Sequence, residues 1–97
     1  MQIEAENGTL ILKKVGSAFT VRDAERMAEM LESLAPFSDL VLDFTGVQEC
    51  HDAALLALVK MLQRLVGVAV VVRGLTHHEA RLLKYLGLRA TEVCAKA

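Results

Sequence analysis

The sequence predicts a small α/β domain built around a mostly parallel sheet. Three observations carry this. Short β-branched or aliphatic runs, Leu40–Phe44 and Val68–Val72, alternate with longer segments of helical periodicity. The order of elements reads β-β-α-β-α-β-α with a small tail, and strand-helix-strand alternation favours parallel strands joined by right-handed crossovers. The 97 residues suit one domain with a modest core.

The elements follow in order. Gln2–Ala5 and Thr9–Val15 flank Glu6-Asn7-Gly8. Asn-Gly between extended runs predicts a hairpin, because a type I′ turn needs positive φ at both central residues. Gly16-Ser17-Ala18 reads as a loop. Thr20 precedes Asp23 by three residues, a variant of the capping box, and opens a helix. Val21, Ala24, Met27, Leu31 and Leu34 share one face of that helix, and Pro36 ends it.

Leu40–Phe44 reads as a buried strand. The segment from Asp52 to about Val66 reads as a helix that is apolar nearly all round at its start, so it should be largely covered. Gly67 ends it, and Val68–Val72 reads as a strand buried on both faces. Thr76-His77-His78-Glu79 is a full capping box. The helix it opens carries Ala80, Leu82, Leu83 and Leu86 and closes at Gly87. Leu88–Ala97 fits either a last strand or a further helical turn.

Composition removes several functions. The formal net charge is −1 and the pI near 6.3, which gives no support for a polyanion-binding protein. Aromatic residues make up 4% and Trp is absent, which weakens base stacking as a function. The polar, acidic N-terminal residues do not resemble a signal peptide, and no uncharged apolar run reaches the roughly 18 residues that span a bilayer. Cys50 and Cys94 make neither a disulfide framework nor a zinc pattern. A reduced, cytoplasmic, soluble domain without direct membrane insertion is expected.

The chemistry-bearing residues gather between Asp43 and Ala54. His51-Asp52 stands at a helix start, where N–H groups and the helix dipole favour negative charge. This makes a charged, partner-facing spot, or a simple helix cap supplied by Asp52 or His51. Ala53, Ala54, Leu55 and Leu56 stand in a row, and a helix cannot bury all four on one side. Some apolar surface near Asp52 should therefore be exposed, as at partner sites. A metal site from Asp43, Glu49, His51 and Asp52 has no recognised spacing, and a Cys50–His51 nucleophile pairs adjacent side chains that rarely point together. His77 and His78 read as solvated first-turn residues, and Met27, Met30 and Met61 as core or contact residues. Gly46 and Gly74, each following a strand, belong to no phosphate-cradling pattern. No cofactor is expected, and the chain reads as one that binds rather than catalyses.

Asp43-Phe44-Thr45-Gly46-Val47 followed by His51-Asp52-Ala53-Ala54-Leu55 resembles the central motif of STAS domains, the family of anti-sigma-factor antagonists. The hairpin start, Gly16 before the first helix and Leu82-Leu83…Leu86-Gly87-Leu88 extend the resemblance over essentially the whole chain. It implies a sheet with helices packed largely on one face. It also implies a bacterial regulator of transcription that binds an anti-sigma-factor serine kinase and releases it once a Ser or Thr at a helix start is phosphorylated.

The match has departures. His51 falls where the family has Asp, Asp52 where the phosphorylatable Ser stands, and Ala54 where Gly is usual. An ionised carboxylate is a permanent, weaker copy of a phosphate. The resemblance thus implies a phospho-independent or phosphomimetic interaction module. His51, Asp52, Ala53, Ala54, Thr45 and Gly46 would be the partner-binding set. The partner would be an anti-sigma-factor kinase or another STAS protein, with a homodimer through the apolar helix start as a further possibility. Three alternatives stand beside this one: an accessory subunit of a lipid-transport ABC system, an antagonist phosphorylated on Thr45 or His51, and a small metal-dependent enzyme using His51 and Asp52.

Overall fold

The computed structural model describes residues 1–34, 36–87 and 92–95. The chain opens with β1 (Gln2–Glu6) and β2 (Thr9–Lys13), then β3 (Ala18–Phe19), α1 (Val21–Leu34) and β4 (Asp39–Asp43). β5 (Glu49–Cys50), α2 (Asp52–Leu62), β6 (Ala69–Leu75), α3 (His77–Tyr85) and β7 (Glu92–Ala95) complete it. The main sheet has the order β1-β2-β4-β6-β7. β1 is antiparallel to β2, and every other neighbour pair is parallel. The sheet is therefore mixed and mostly parallel.

Each crossover adds its strand on the same side of the previous one. Right-handed connections then put all three helices on one face of the sheet. Burial agrees: Leu10, Leu12, Leu40, Leu42, Val70 and Val72 are buried under the helices, in one cluster with Met27, Leu31, Leu58 and Leu83. The alternate positions Ile11, Val41 and Val71 are only partly buried. The expectation that the Val68–Val72 strand is covered on both faces is therefore corrected. The period of two in its burial comes from one-sided helix cover.

Local signals act where the sequence puts them. Asn7 and Gly8 take φ of 50° and 81°, the pair a type I′ turn requires. The Asp23 carboxylate accepts the Thr20 N–H at 2.9 Å, and the Asp23 N–H reaches the Thr20 hydroxyl at 3.4 Å. Glu79 and Thr76 make the same exchange at α3, at 2.9 and 3.2 Å. Gly87 follows α3 at φ 90°, where a C′ glycine belongs.

Other boundaries move. β4 runs one residue earlier than the apolar run suggests, leaving Phe44 buried just beyond it, edge-on to Phe19 with ring centroids 4.9 Å apart. α2 ends at Leu62, well before Val66. Arg64 and Leu65 donate to carbonyls three residues back, so the last turn tightens and the helix stops. β6 runs on to Leu75 and so contains Gly74, which the sequence alone put after the strand. β7 settles part of the tail as a strand parallel to β6; the remaining tail residues lie outside those described.

Gly74 fixes how the strand ends meet. Its φ is 85°, and an added Cβ would lie 2.3 Å from the Thr45 nitrogen and 2.6 Å from its Cα. Gly46 has open space around it. Gly74→Ala should therefore lower stability by about 2 kcal/mol or more through strain and overlap. Gly46→Ala should stay within about 0.5 kcal/mol. Urea denaturation of both variants beside the parent checks the contrast; equal midpoints would contradict it.

Candidate functional site

The site is built at the carboxyl-terminal edge of β4. Asp43 ends that strand with its carboxylate turned back on the following loop. It accepts the Thr45 N–H at 2.9 Å and the Thr45 hydroxyl on the same oxygen. Its other oxygen lies 3.4 Å from Nε of Arg73 on β6. Burial alone raises the pKa of this carboxyl. The two Thr45 hydrogen bonds and the Arg73 charge outweigh it and hold the group below its ordinary value.

From this anchor the loop runs in fixed steps. The Phe44 N–H donates to the Arg73 carbonyl, and the Val47 N–H to the Phe44 carbonyl, both at 2.9 Å. Val47 is buried. The Gln48 and Glu49 N–H groups both donate to the Ser17 carbonyl, at 2.8 and 2.9 Å, and the His51 N–H to the Phe19 carbonyl at 3.1 Å. This is the β3–β5 pairing, which joins the loop before α1 to the loop before α2. Behind it the half-buried Asp23 carboxylate lies 3.8 Å from the ammonium of Lys14, which is itself buried. Burial raises the Asp23 pKa, but its bonds to Thr20 and the nearby Lys14 and Arg26 charges bring it below the ordinary value.

This scaffold presents the start of α2. His51 occupies the N-cap position with extended backbone and no side-chain capping bond. Its imidazole lies 3.4 Å from Glu49 on an exposed flank, an ion pair only when the ring is protonated. Asp52 is the first helical residue and is exposed. The capping interpretation of this pair is corrected: neither side chain caps the helix, and Asp52 acts on the dipole by its charge alone. Of the four apolar residues that follow, Ala54 and Leu55 are buried, whereas Ala53 is exposed and Leu56 is 42% exposed. Ala54, counted in the expected partner-binding set, is therefore withdrawn into the core. Leu56 is exposed instead, one helical turn after Asp52 and one before Lys60. The row of four apolar residues showed that some must be exposed; only the rotation of the helix shows which.

Thr45 and Gly46 are exposed on the same loop, but the Thr45 hydroxyl is committed to Asp43. Cys50 is partly buried beside Phe19's strand. Asp43, Glu49, His51 and Asp52 do not converge: among the described residues no three His, Cys, Asp or Glu side chains gather as metal ligands would. A cleft of about 470 Å³, lined by residues such as Leu31, Phe37, Met61 and Leu65, lies at the far end of α1 and α2. Neither His51 nor Asp52 lines it. Sequence reasoning missed Arg73 and Lys14, and named Leu56 only as one of four candidates for exposure. Arg73 and Lys14 act through partners 30 and 9 residues away, and no local pattern announces such pairs.

Among the described residues no helix is long and apolar enough to cross a membrane. Set against models of known protein families and against curated proteins, the chain matches none of them. What the geometry offers is a charged and apolar surface on a fixed loop.

Both lowered carboxyls couple this loop to pH. A carboxyl with a depressed folded pKa adds stability above its unfolded pKa and loses it as pH falls through the folded value. Unfolding midpoints should therefore be flat near neutrality and drop as pH falls below about 4. Thr45→Val should cost about 1 kcal/mol at neutral pH and move the Asp43 carboxyl upward in an NMR titration. An unmoved Asp43 titration would contradict the anchor.

Proposed function

We propose that this chain is a non-enzymatic protein-interaction module of the STAS type, a bacterial regulator that docks a protein partner through the start of α2 without a phosphorylation switch. The observation that carries this is the exposed Asp52 carboxylate. It stands at the first position of α2, does no capping, and is followed by exposed Ala53 and Leu56. A fixed negative charge beside exposed apolar side chains suits recognition of a protein surface. In the STAS resemblance this position holds the phosphorylatable Ser, so Asp52 supplies standing charge where the family switches it.

Phosphorylation on Thr45 is the weaker reading. Its hydroxyl donates to Asp43, and a phosphate there would lose that bond and set a dianion against a carboxylate. A metal-dependent enzyme using His51 and Asp52 is weaker still, since the pair is exposed and, among the described residues, no third ligand converges on it. The partner class that fits best is a protein with an apolar socket and a basic residue opposite Asp52; an anti-sigma-factor kinase or a second STAS protein is the partner the resemblance implies.

The test is affinity capture from source-cell lysate with the parent, Asp52→Ser and Leu56→Asp, read by mass spectrometry. The parent should capture a defined partner, and Leu56→Asp should lose it by at least about tenfold while its thermal midpoint holds. Asp52→Ser should keep that partner if recognition ignores phosphate. Should it instead gain a kinase and become phosphorylated, Asp52 is a built-in released state of an antagonist. Undiminished capture by Leu56→Asp would remove this surface from the account.

A further inference from the structure

β1 is an edge strand of the main sheet, and its five residues are all exposed. Glu6 and Thr9 close the two-residue Asn7-Gly8 turn, so they exchange both of their backbone hydrogen bonds. Alternation along the antiparallel ladder gives Gln2 and Glu4 the same arrangement. The N–H and C=O groups of Ile3 and Ala5 therefore point away from β2, and no described strand lies beyond them. Edge strands are ordinarily blunted by shortness, a proline, a bulge or lysines. β1 has none of these: all five residues pair with β2 in unbroken register.

The two sides of this edge differ in chemistry. Ile3 and Ala5 stand opposite the buried Leu12 and Leu10, and so lie on the helix side of the sheet. Ile3 is 41% exposed. Beside Ala5 opens a depression of about 230 Å³, walled by Leu10, Leu34, Pro36 and Phe37. Glu4 and Glu6 stand opposite Ile11 and Thr9, on the side without helices. These four residues line a second depression of about 310 Å³. Among the described residues neither carboxylate has an ion-pair partner. The nearest cation in the register, Lys13, stands opposite Gln2.

We propose that the β1 edge docks an extended segment of another protein that alternates basic and apolar residues, added antiparallel as a further strand. In such strand addition the main chain supplies affinity and alternate side chains supply specificity. Ile3 and Ala5 each offer one N–H and one C=O to the new strand. Apolar side chains fall opposite them, the one at Ala5 beside the depression under Leu34 and Phe37. Lys or Arg falls opposite Glu4 and Glu6, in non-hydrogen-bonded pairs where facing side chains come closest. No edge of this chain supplies that pattern. A second β1 sets Glu4 on Glu4, Glu4 on Glu6 or Glu4 on Gln2, according to register, and never brings a cation. β7, the opposite edge, runs Glu92-Val93-Cys94-Ala95 and has no basic residue. A single strand contacts less area than a folded partner does, so the complex is weak and rests on its main-chain bonds. This surface is separate from the start of α2, and its occupancy does not depend on that reading.

The probe is the capped peptide Lys-Val-Lys-Val-Lys-Val-Lys, titrated into the isotope-labelled full chain to about 1 mM, which reads any Kd up to that value. NMR amide shifts should move at Ile3 and Ala5 and along β1. Methylating the valine nitrogens, which face β1, should weaken binding at least about tenfold; methylating the lysine nitrogens, which face away, should not. The double variant Glu4→Lys, Glu6→Lys should lose the peptide by at least about tenfold and bind Glu-Val-Glu-Val-Glu-Val-Glu instead. Its thermal midpoint should hold, since both sites are exposed. Leu56→Asp should bind the probe as the parent does. Absence of shifts up to the highest concentration overturns the proposal. So does equal binding of Lys-Lys-Lys-Lys-Val-Val-Val, which has the charge without the alternation, equal loss from both methylation patterns, or shifts confined to α2.

Discussion

The Asp43 carboxylate holds together the end of the molecule that carries the candidate site. Asp43 is the last residue of a central strand and binds both its own loop and the neighbouring strand. One oxygen takes the N–H and hydroxyl of Thr45, and the other faces Arg73 on the adjacent strand. Gly74, next to Arg73, lets the two strand ends approach with no side chain between them. Charge-assisted bonds to a partly buried carboxylate are among the stronger polar contacts a small domain has. Everything downstream inherits its position from them: Phe44 against Phe19, Val47 in the core, the β3–β5 pairing, and the entry angle of α2.

That dependence explains why the site is a surface. The loop's backbone donors are used internally: Gln48 and Glu49 on Ser17, His51 on Phe19. The side chains left over at the helix start are a carboxylate, an imidazole, a methyl and a leucine, all facing water. The cleft of about 470 Å³ lies away from them, at the opposite end of the helices. A rigid patch with fixed charge and exposed apolar side chains binds with little ordering cost, which is the physical advantage of such a scaffold for recognition.

Legibility followed the range of the interaction. Asn7-Gly8, Thr20–Asp23 and Thr76–Glu79 act within four residues, and each does in the fold what its spacing says. The element order gave the mostly parallel sheet, because alternating periodicities permit few other solutions. What escaped needs residues far apart in the chain. Examples are Arg73 with Asp43, Ser17 with Gln48 and Glu49, the bare approach of Gly74 to Thr45, and the sheet face left without helices. In the candidate site, His51-Asp52 at a helix start was readable. The exchange of Ala54 for Leu56 was not, because it depends on how α2 is rotated over β4 and β6. The early end of α2 was hidden for a related reason: apolar residues continue past Leu62 with no break in the pattern.

Central to this account is a loop before α2 that is preorganised. Native-state hydrogen exchange on the amides of Val47, Gln48, Glu49 and His51 tests it most directly. All four donate to backbone carbonyls, and if the Asp43 anchor holds they should exchange only through global opening, with free energies close to those of β4 and β6. Exchange near the rate of an unprotected loop, while β4 and β6 stay protected, would contradict it.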